Sequence, residues 1–288
     1  MPLGLRKLEL SGKWKKPADE LFDKYGTTLK LNEHLPRLEV LDLGDLSCTN
    51  FTWMTHSPQS LTKLSLRRWD GSVELPTSLI HFEANDVTLS TSSFVSKLPP
   101  SLETFNVHYL EGAELLVPLL PTSTRKLCLR WRVRYSDVPR PSWNLLEQLP
   151  KSLTWLEVPY ATFINFTTNP ELVSYLPSTL TELHMGYGSN LPCSCWRLLP
   201  QQLTKLSFNA DRFNSLVPSK TVDSHGVHHE VNSIPFDYFP RSIMSLRLIG
   251  LDFFNNEFLD LAAYLYRSVG LDICFSFNRK QLFRRRLF

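Results

Sequence analysis

The chain has 288 residues, of which 42% are hydrophobic and 12% aromatic, so it can bury a substantial core and is not a disordered protein. Its 31 lysines and arginines nearly balance 28 aspartates and glutamates, and a net charge of +3 excludes binding of nucleic acid by overall charge. Leucine makes up roughly 18% of the chain, and 20 prolines outnumber 11 glycines, a composition that indicates an internal repeat.

The cysteines and the amino-terminal residues indicate a reducing compartment. Five cysteines are an odd and unevenly spaced set, which disfavours a disulfide framework. Residues 1–10 lack the uninterrupted apolar stretch of a secretory signal, and no apolar run approaches the roughly 18 residues that cross a bilayer. We therefore expect a cytoplasmic protein, with the nucleus as the alternative location.

One motif, Leu-Pro-x-Ser-Leu-Thr-x-Leu-x-Leu, recurs along the chain at a basic interval of about 22 residues. Each copy ends in alternating apolar and polar residues, the pattern of a strand with one buried face. The proline stands just before the strand, where a missing N–H is tolerated. Copies are found at Pro2, Pro36, Pro58, Pro76, Pro99, Pro121, Pro150, Pro177, Pro200 and Pro240. The repeat predicts parallel strands that lie side by side.

Short amphipathic segments precede several of these prolines. They predict one to two helical turns over 93–98, 142–149, 170–176 and 195–199, each ended by the next proline. A further helix is predicted over 17–25, because proline and acidic residues occupy its first turn. Each unit is thus expected to contain a strand, a loop and a short helix.

The carboxyl-terminal segment departs from the repeat. An amphipathic helix is predicted over 255–268 and a last strand over 271–277. Residues 251–277 are expected to cap the array, so that a repeat domain spans 1–277. Residues 278–288 form a basic tail with the cations Arg279, Lys280, Arg284, Arg285 and Arg286.

The motif resembles the leucine-rich repeat, whose signature is Leu-x-x-Leu-x-Leu. Leu61, Leu64 and Leu66 fit it, as do the matching residues of other copies, and the likeness covers nearly the whole chain. The Leu-Pro-x-Ser-Leu opening is similar to intracellular eukaryotic repeats, including the Phe-Asn-Ile-Pro type. The resemblance implies an α/β solenoid, an open horseshoe with about ten parallel strands on the concave face and short helices and loops on the convex face.

One position of the repeat departs from the family. The asparagine usually found three residues after the last strand leucine is replaced by apolar residues such as Trp69 and Val87. We therefore expect no asparagine ladder, and the backbone groups that such a ladder satisfies need other partners.

Polar residues between and beside the strand leucines are predicted to face the concave surface. Strands about 4.8 Å apart make a face large enough for a folded partner. Trp155 stands out, because an exposed indole on a strand is unfavourable without a partner. A solvated polar face is the alternative for any single residue. The predicted partner-binding residues are Lys63, Arg67, His81, Glu83, Asn106, His108, Lys126, Arg130, Trp155, Glu157, Glu182, His184 and Lys205.

Sequence motifs of enzymes are missing from the chain. It contains no phosphate-binding glycine loop, no Gly-x-Ser-x-Gly elbow and no His-Glu-x-x-His, so neither a catalytic residue nor a cofactor is predicted. His225, His228 and His229 lie in a polar segment that we expect to be an exposed loop rather than a metal site.

The resemblance and the polar face favour a non-enzymatic module for protein–protein interaction that acts as a scaffold or a substrate adaptor. One alternative is a component or effector of ubiquitin ligation. The other is binding of nucleic acid or of an anionic membrane surface through the basic tail. Nucleic acid is the less favoured partner, because the chain as a whole is nearly neutral.

Overall fold

The computed structural model describes residues 4–10, 30–44, 52–88, 98–111, 116–131, 144–158, 166, 169–186, 191, 193–209, 221–222, 228–229, 240–249 and 272–276. The chain divides into two compact units, Met1–Leu153 and Thr154–Phe288, each with its own run of parallel strands. The predicted repeat domain 1–277 and tail 278–288 stay predictions.

The strands described in the first unit lie side by side, run parallel and follow chain order. They are β1 (Lys7–Glu9), β2 (Val40–Asp42), β3 (Lys63–Trp69), β4 (His81–Thr88), β5 (Thr104–Glu111) and β6 (Lys126–Trp131). Lys63 pairs with His81, His81 with Thr104, and Thr104 with Lys126. Each position of the repeat therefore forms one column across the sheet, which confirms the strands predicted from the motif.

The second unit continues the pattern with β7 (Trp155–Val158), β8 (Glu182–Met185) and β9 (Lys205–Asn209). After β9, β10 (Thr221–Val222) and β11 (His228–His229) pair as an antiparallel ladder. The expectation of a loop is therefore wrong at His228 and His229, whose backbone joins this ladder. The parallel run then resumes with β12 (Ser245–Ile249), which pairs with β9, and β13 (Asp272–Ser276), the predicted last strand.

Short helices precede several strands. Two are α-helical, α1 (Leu31–His34) and α2 (Asn144–Glu147), and four are 3₁₀ helices, η1 (Thr52–His56), η2 (Val117–Leu119), η3 (Pro170–Tyr175) and η4 (Cys193–Leu198), all counted within the described ranges. Segments this short gain little from α-helix propagation, so the tighter 3₁₀ form is common. The helical turns predicted over 142–149, 170–176 and 195–199 are confirmed. Those predicted over 17–25 and 255–268, and nearly all of that over 93–98, lie outside the described residues.

Apolar residues of the alternating pattern form the core. In the first unit Phe82 and Phe105 occupy neighbouring strands, their ring centroids lie 5.4 Å apart, and both are at most 1% exposed. Trp69 meets Phe82 edge to face at 5.3 Å. Burial of one such side chain contributes roughly 1.5–3 kcal/mol, so these columns are the main source of stability. The matching column of the second unit consists of Leu156, Leu183, Leu206 and Leu246.

The Pro-x-x-Leu segment of the motif is a tight turn that leads into the strand that follows it. The N–H of Leu61 donates to the carbonyl of Pro58 at 3.0 Å, and the N–H of Leu102 donates to that of Pro99 at 3.1 Å. Proline opens this turn because it has no N–H that would need a partner there. The same bond closes the turns that begin at Pro76, Pro121, Pro150, Pro177, Pro200 and Pro240.

The serine of the motif joins consecutive repeats. Ser60 Oγ donates to the carbonyl of Leu38 at 2.8 Å, and Ser101 Oγ donates to that of Leu79 at 2.9 Å. These carbonyls belong to the leucine that follows the motif proline in the preceding repeat. A serine ladder therefore satisfies backbone acceptors where the strands begin. Ser78, Ser123, Ser152 and Ser242 make the equivalent bond.

The asparagine position of the family repeat is occupied here by an extension of the sheet. Trp69 pairs in register with Val87, and Val87 pairs with Leu110. Trp69 is fully buried and Val87 is 1% exposed, so both side chains extend the core. Among the described residues, no helix is long and apolar enough to cross a membrane.

Candidate binding face

The sheet surface opposite the leucine core, which we call the polar face, includes two adjacent columns in each unit. In a strand successive side chains point to opposite faces, so the register fixes which residues become neighbours. In the first unit the columns are Lys7, Val40, Lys63, His81, Thr104, Lys126 and Glu9, Asp42, Ser65, Glu83, Asn106, Cys128. In the second they are Trp155, Glu182, Lys205, Ser245 and Glu157, His184, Ser207, Arg247.

Most of the predicted binding residues are accessible on this face. Lys63, Arg67, His81, Lys126 and Lys205 are exposed, and Glu83, Asn106, His108, Trp155, Glu157, Glu182 and His184 are half-buried. The backbone of Arg130 lies in β6 as predicted, but its side chain is outside the described part of the structure. The basic tail, Arg279 to Arg286, is outside it as well.

Two column positions do not follow the expectation that residues between the strand leucines are accessible. Cys128 is only 2% exposed and Ser207 only 3%. Both side chains are short, and longer side chains on adjacent strands cover short ones on a pleated surface. The register of the repeat therefore predicts correctly which face of the sheet a side chain points to, while the exposure of that side chain depends on the neighbouring columns.

A depression of about 300 Å³ lies on the polar face of the first unit. This volume is at the lower limit for small-molecule sites. Four of its lining residues belong to the predicted binding set. The depression is lined by Lys63, His81, Phe82, Glu83, Thr104 and Asn106.

Side chains in and beside the depression hold one another in place. His81 Nδ1 lies 3.1 Å from Thr104 Oγ1, and Glu83 Oε1 lies 3.5 Å from His108 Nε2. Asn106 Oδ1 is buried and has no hydrogen-bond partner. Thr104 is not in the predicted binding set, although its column position between His81 and Lys126 is the signal that identifies it.

A second cluster of predicted residues lies on the polar face of the second unit. Glu182 Oε1 lies 2.9 Å from Lys205 Nζ, and Glu182 Oε2 lies 3.6 Å from His184 Nε2. Partial burial alone would raise the pKa of Glu182, but the hydrogen bond and charge of Lys205, with a smaller contribution from His184, lower it below its usual value. Glu182 is therefore held in its charged form.

Trp155 is not the unprotected indole that the sequence predicts. It is half-buried, and its ring centroid lies 5.6 Å from that of His184, with the ring planes inclined by 48°. The two rings lie on adjacent strands of the same unit, so Trp155 already has an intramolecular contact.

No group of three or more histidine, cysteine, aspartate or glutamate side chains in the described ranges is arranged to hold a metal ion.

The repeated register of parallel strands, the buried leucine columns and the short helices between them define an α/β leucine-rich-repeat solenoid. No family model matches the sequence, and no curated protein matches it. The chain is similar to the solved structure of the leucine-rich repeat-containing protein LegL7 from Legionella pneumophila, with 15% identity and a TM-score of 0.37 over 86% of this chain and 67% of that one. It is also similar to an internalin (inlF) from Listeria monocytogenes, with 16% identity and a TM-score of 0.47 over 90% of this chain and 73% of that one.

Proposed function

We propose that this protein is a non-enzymatic interaction module that binds a protein partner on the polar face and serves in the cytoplasm as a scaffold or substrate adaptor. The observation that carries the proposal is the register of the parallel strands. It aligns the predicted residues of successive repeats, such as Lys63, His81 and Lys126, in one column.

The backbone ladder supports recognition because it holds these side chains at fixed spacing. Binding to side chains on rigid strands costs less conformational entropy than binding that must first order loops. Contacts such as the one between Trp155 and His184 restrict the side chains further. The face is therefore largely organised before a partner arrives.

The size of the polar face favours a macromolecule over a metabolite. In the first unit the column from β3 to β6 spans about 15 Å, and the depression occupies only part of it. Standard protein interfaces bury about 800 Å² on each partner, which requires many such residues. Trp155 and Arg67 belong to the residue types that contribute most at interfaces, and the lysines and glutamates of the face supply charges that a partner can complement.

The test is affinity capture from cell lysate followed by mass spectrometry. We expect Lys126→Glu and Trp155→Ala to reduce recovery of the main partner by about tenfold or more, because both residues belong to the polar face. The matched control is Arg37→Glu, which reverses the charge of an exposed residue in the turn before β2. Thermal unfolding of each variant separates lost recognition from lost folding. Equal recovery with all variants would contradict binding by this face.

A further inference from the structure

We infer that the depression on β3–β5 receives a glutamate or aspartate side chain from an acidic segment of the protein partner. This inference rests on the proposed function and specifies the chemistry of the partner. It is argued from the charges of Lys63 and Lys126, the ring nitrogens of His81 and the amide of Asn106.

Cations outnumber acids in the polar-face columns of β3–β6. Lys63 and Lys126 are both exposed, and Glu83 is the single acid that β3–β6 contribute to these two columns, which continue on β2 with Asp42 in register with Ser65. Within the described residues, no ion pair joins either lysine to an acid, whereas Glu83 lies 3.5 Å from His108. A carboxylate that enters the depression would therefore meet Lys63 without displacing an existing ion pair.

His81 supplies a second hydrogen-bond donor. Its Nδ1 lies 3.1 Å from Thr104 Oγ1, so the Thr104 hydroxyl can donate to it. In that arrangement the proton of the neutral ring is on Nε2, which is left for a ligand. Lys63 and His81 both line the depression and together offer two donors to one carboxylate.

The unpartnered side-chain oxygen of Asn106 indicates that the ligand also supplies a hydrogen-bond donor. Its Oδ1 is buried without a partner, and rotation of the amide presents this acceptor to the depression that the residue lines. A peptide carries a backbone N–H next to each acidic side chain, whereas the phosphate groups of nucleic acid offer acceptors only. The combination of cations and an unsatisfied acceptor therefore fits an acidic peptide.

The burial of the Phe82 ring also favours an acidic peptide over single-stranded nucleic acid. Proteins that bind single-stranded nucleic acid stack its bases on exposed rings. Besides the imidazole of His81, the aromatic residue that lines the depression is Phe82, which is 1% exposed and packed between Trp69 and Phe105. It forms the floor and offers no free ring face.

The experiment uses the full chain and fluorescence anisotropy with four labelled probes of equal length. These are a peptide of alternating glycine and glutamate, its glutamine and lysine counterparts, and an oligothymidylate. We expect the glutamate peptide to bind, and high salt to weaken it. Lys63→Glu should weaken binding by about tenfold or more, and Arg37→Glu, with the same change in charge, by less than about twofold. Asn106→Leu, which changes no charge, should also weaken it.

If the glutamate peptide binds, three results would still overturn the inference. The first is equal binding of the glutamate peptide by the wild type and Lys63→Glu. The second is equal loss with Arg37→Glu, which indicates attraction by net charge alone. The third is oligothymidylate that binds as tightly and depends equally on Lys63. If the acidic peptide fails while capture of a protein still depends on Lys126 and Trp155, the inference falls and the proposed function stands.

Discussion

Glu182 accepts a hydrogen bond of 2.9 Å from Lys205, the residue with which it pairs in register on the next strand. The two residues are 23 positions apart along the chain, which is one repeat. The repeat thus creates a cross-strand ion pair that neither strand contains by itself. Because His184 lies on the other side of the same carboxylate, Glu182 is the central charge of its cluster.

Glu182→Gln is expected to destabilise the second unit near neutral pH and to have little effect in acid. The pKa of Glu182 is lowered in the folded chain, because Lys205 outweighs the opposing effect of burial. A group with a lowered folded pKa stabilises the fold above its unfolded pKa, about 4.3, and this stabilisation is lost as the pH falls through the folded value. The side chains of Glu182 and Lys205 are 27% and 51% exposed, so the loss in the free energy of unfolding is below about 1 kcal/mol.

Urea unfolding of the wild type and Glu182→Gln, measured near neutral pH and again in acid, checks this prediction. Glu171→Gln is the matched control, because Glu171 is an exposed carboxylate in η3, away from the sheet. The prediction is wrong if the difference between wild type and Glu182→Gln stays constant with pH or grows in acid.

Ser101→Ala is expected to lower the free energy of unfolding by about 1 kcal/mol. The hydroxyl of Ser101 lies 2.9 Å from the carbonyl of Leu79 and 3.0 Å from that of Thr77, so alanine leaves both without this donor. The control is Ser178→Ala, at an exposed position of an equivalent turn. Chemical denaturation that shows equal losses for both would exclude a specific role for the serine ladder.

Trp69→Asn, which introduces the asparagine typical of leucine-rich repeats, is expected to destabilise the first unit by about 3 kcal/mol or more. Trp69 is fully buried, packs edge to face on Phe82, and donates from Nε1 to the carbonyl of Val73 at 3.3 Å. Asparagine would leave a cavity and bury an amide. Trp69→Phe should lose less, since it keeps the aromatic contact. Equal stability of the wild type and Trp69→Asn in urea would show that an asparagine turn can replace the extended sheet.

The positions of the strands could be predicted because they depend on local pattern. The strands that follow a motif proline begin five residues after it, as with Pro58 and Lys63, except β2, which begins four residues after Pro36, and the alternation defines the buried face. The type of helix was harder to predict, because whether a segment is α-helical, as α2 is, or 3₁₀, as η3 is, depends on length and packing rather than on periodicity.

The arrangement of the candidate site was only partly predictable. Column membership follows from the repeat, so Glu83 and Asn106 could be placed side by side. The contact between Glu83 and His108 is diagonal and depends on side-chain conformation, which the sequence does not specify. For the same reason the cover on Ser207 and the contact of Trp155 with His184 required the structure.

Asn106→Leu is expected to stabilise the first unit while it weakens binding of the acidic peptide. Asn106 Oδ1 is buried without a hydrogen-bond partner, and such a group destabilises a fold by about 1–3 kcal/mol. Leucine has a similar shape and no polar atom, so it removes the penalty. Since Asn106 is half-buried, the gain should be near the lower end of this range.

Opposite changes in stability and binding distinguish a residue retained for a partner from one retained for folding. Asn85→Leu, at a half-buried position on β4, is the control and should leave both quantities nearly unchanged. Urea denaturation and peptide anisotropy on the same three proteins provide the measurement. If Asn106→Leu is less stable than the wild type, its amide supports the sheet through contacts of its own, and the unsatisfied oxygen is not a site kept open for a ligand.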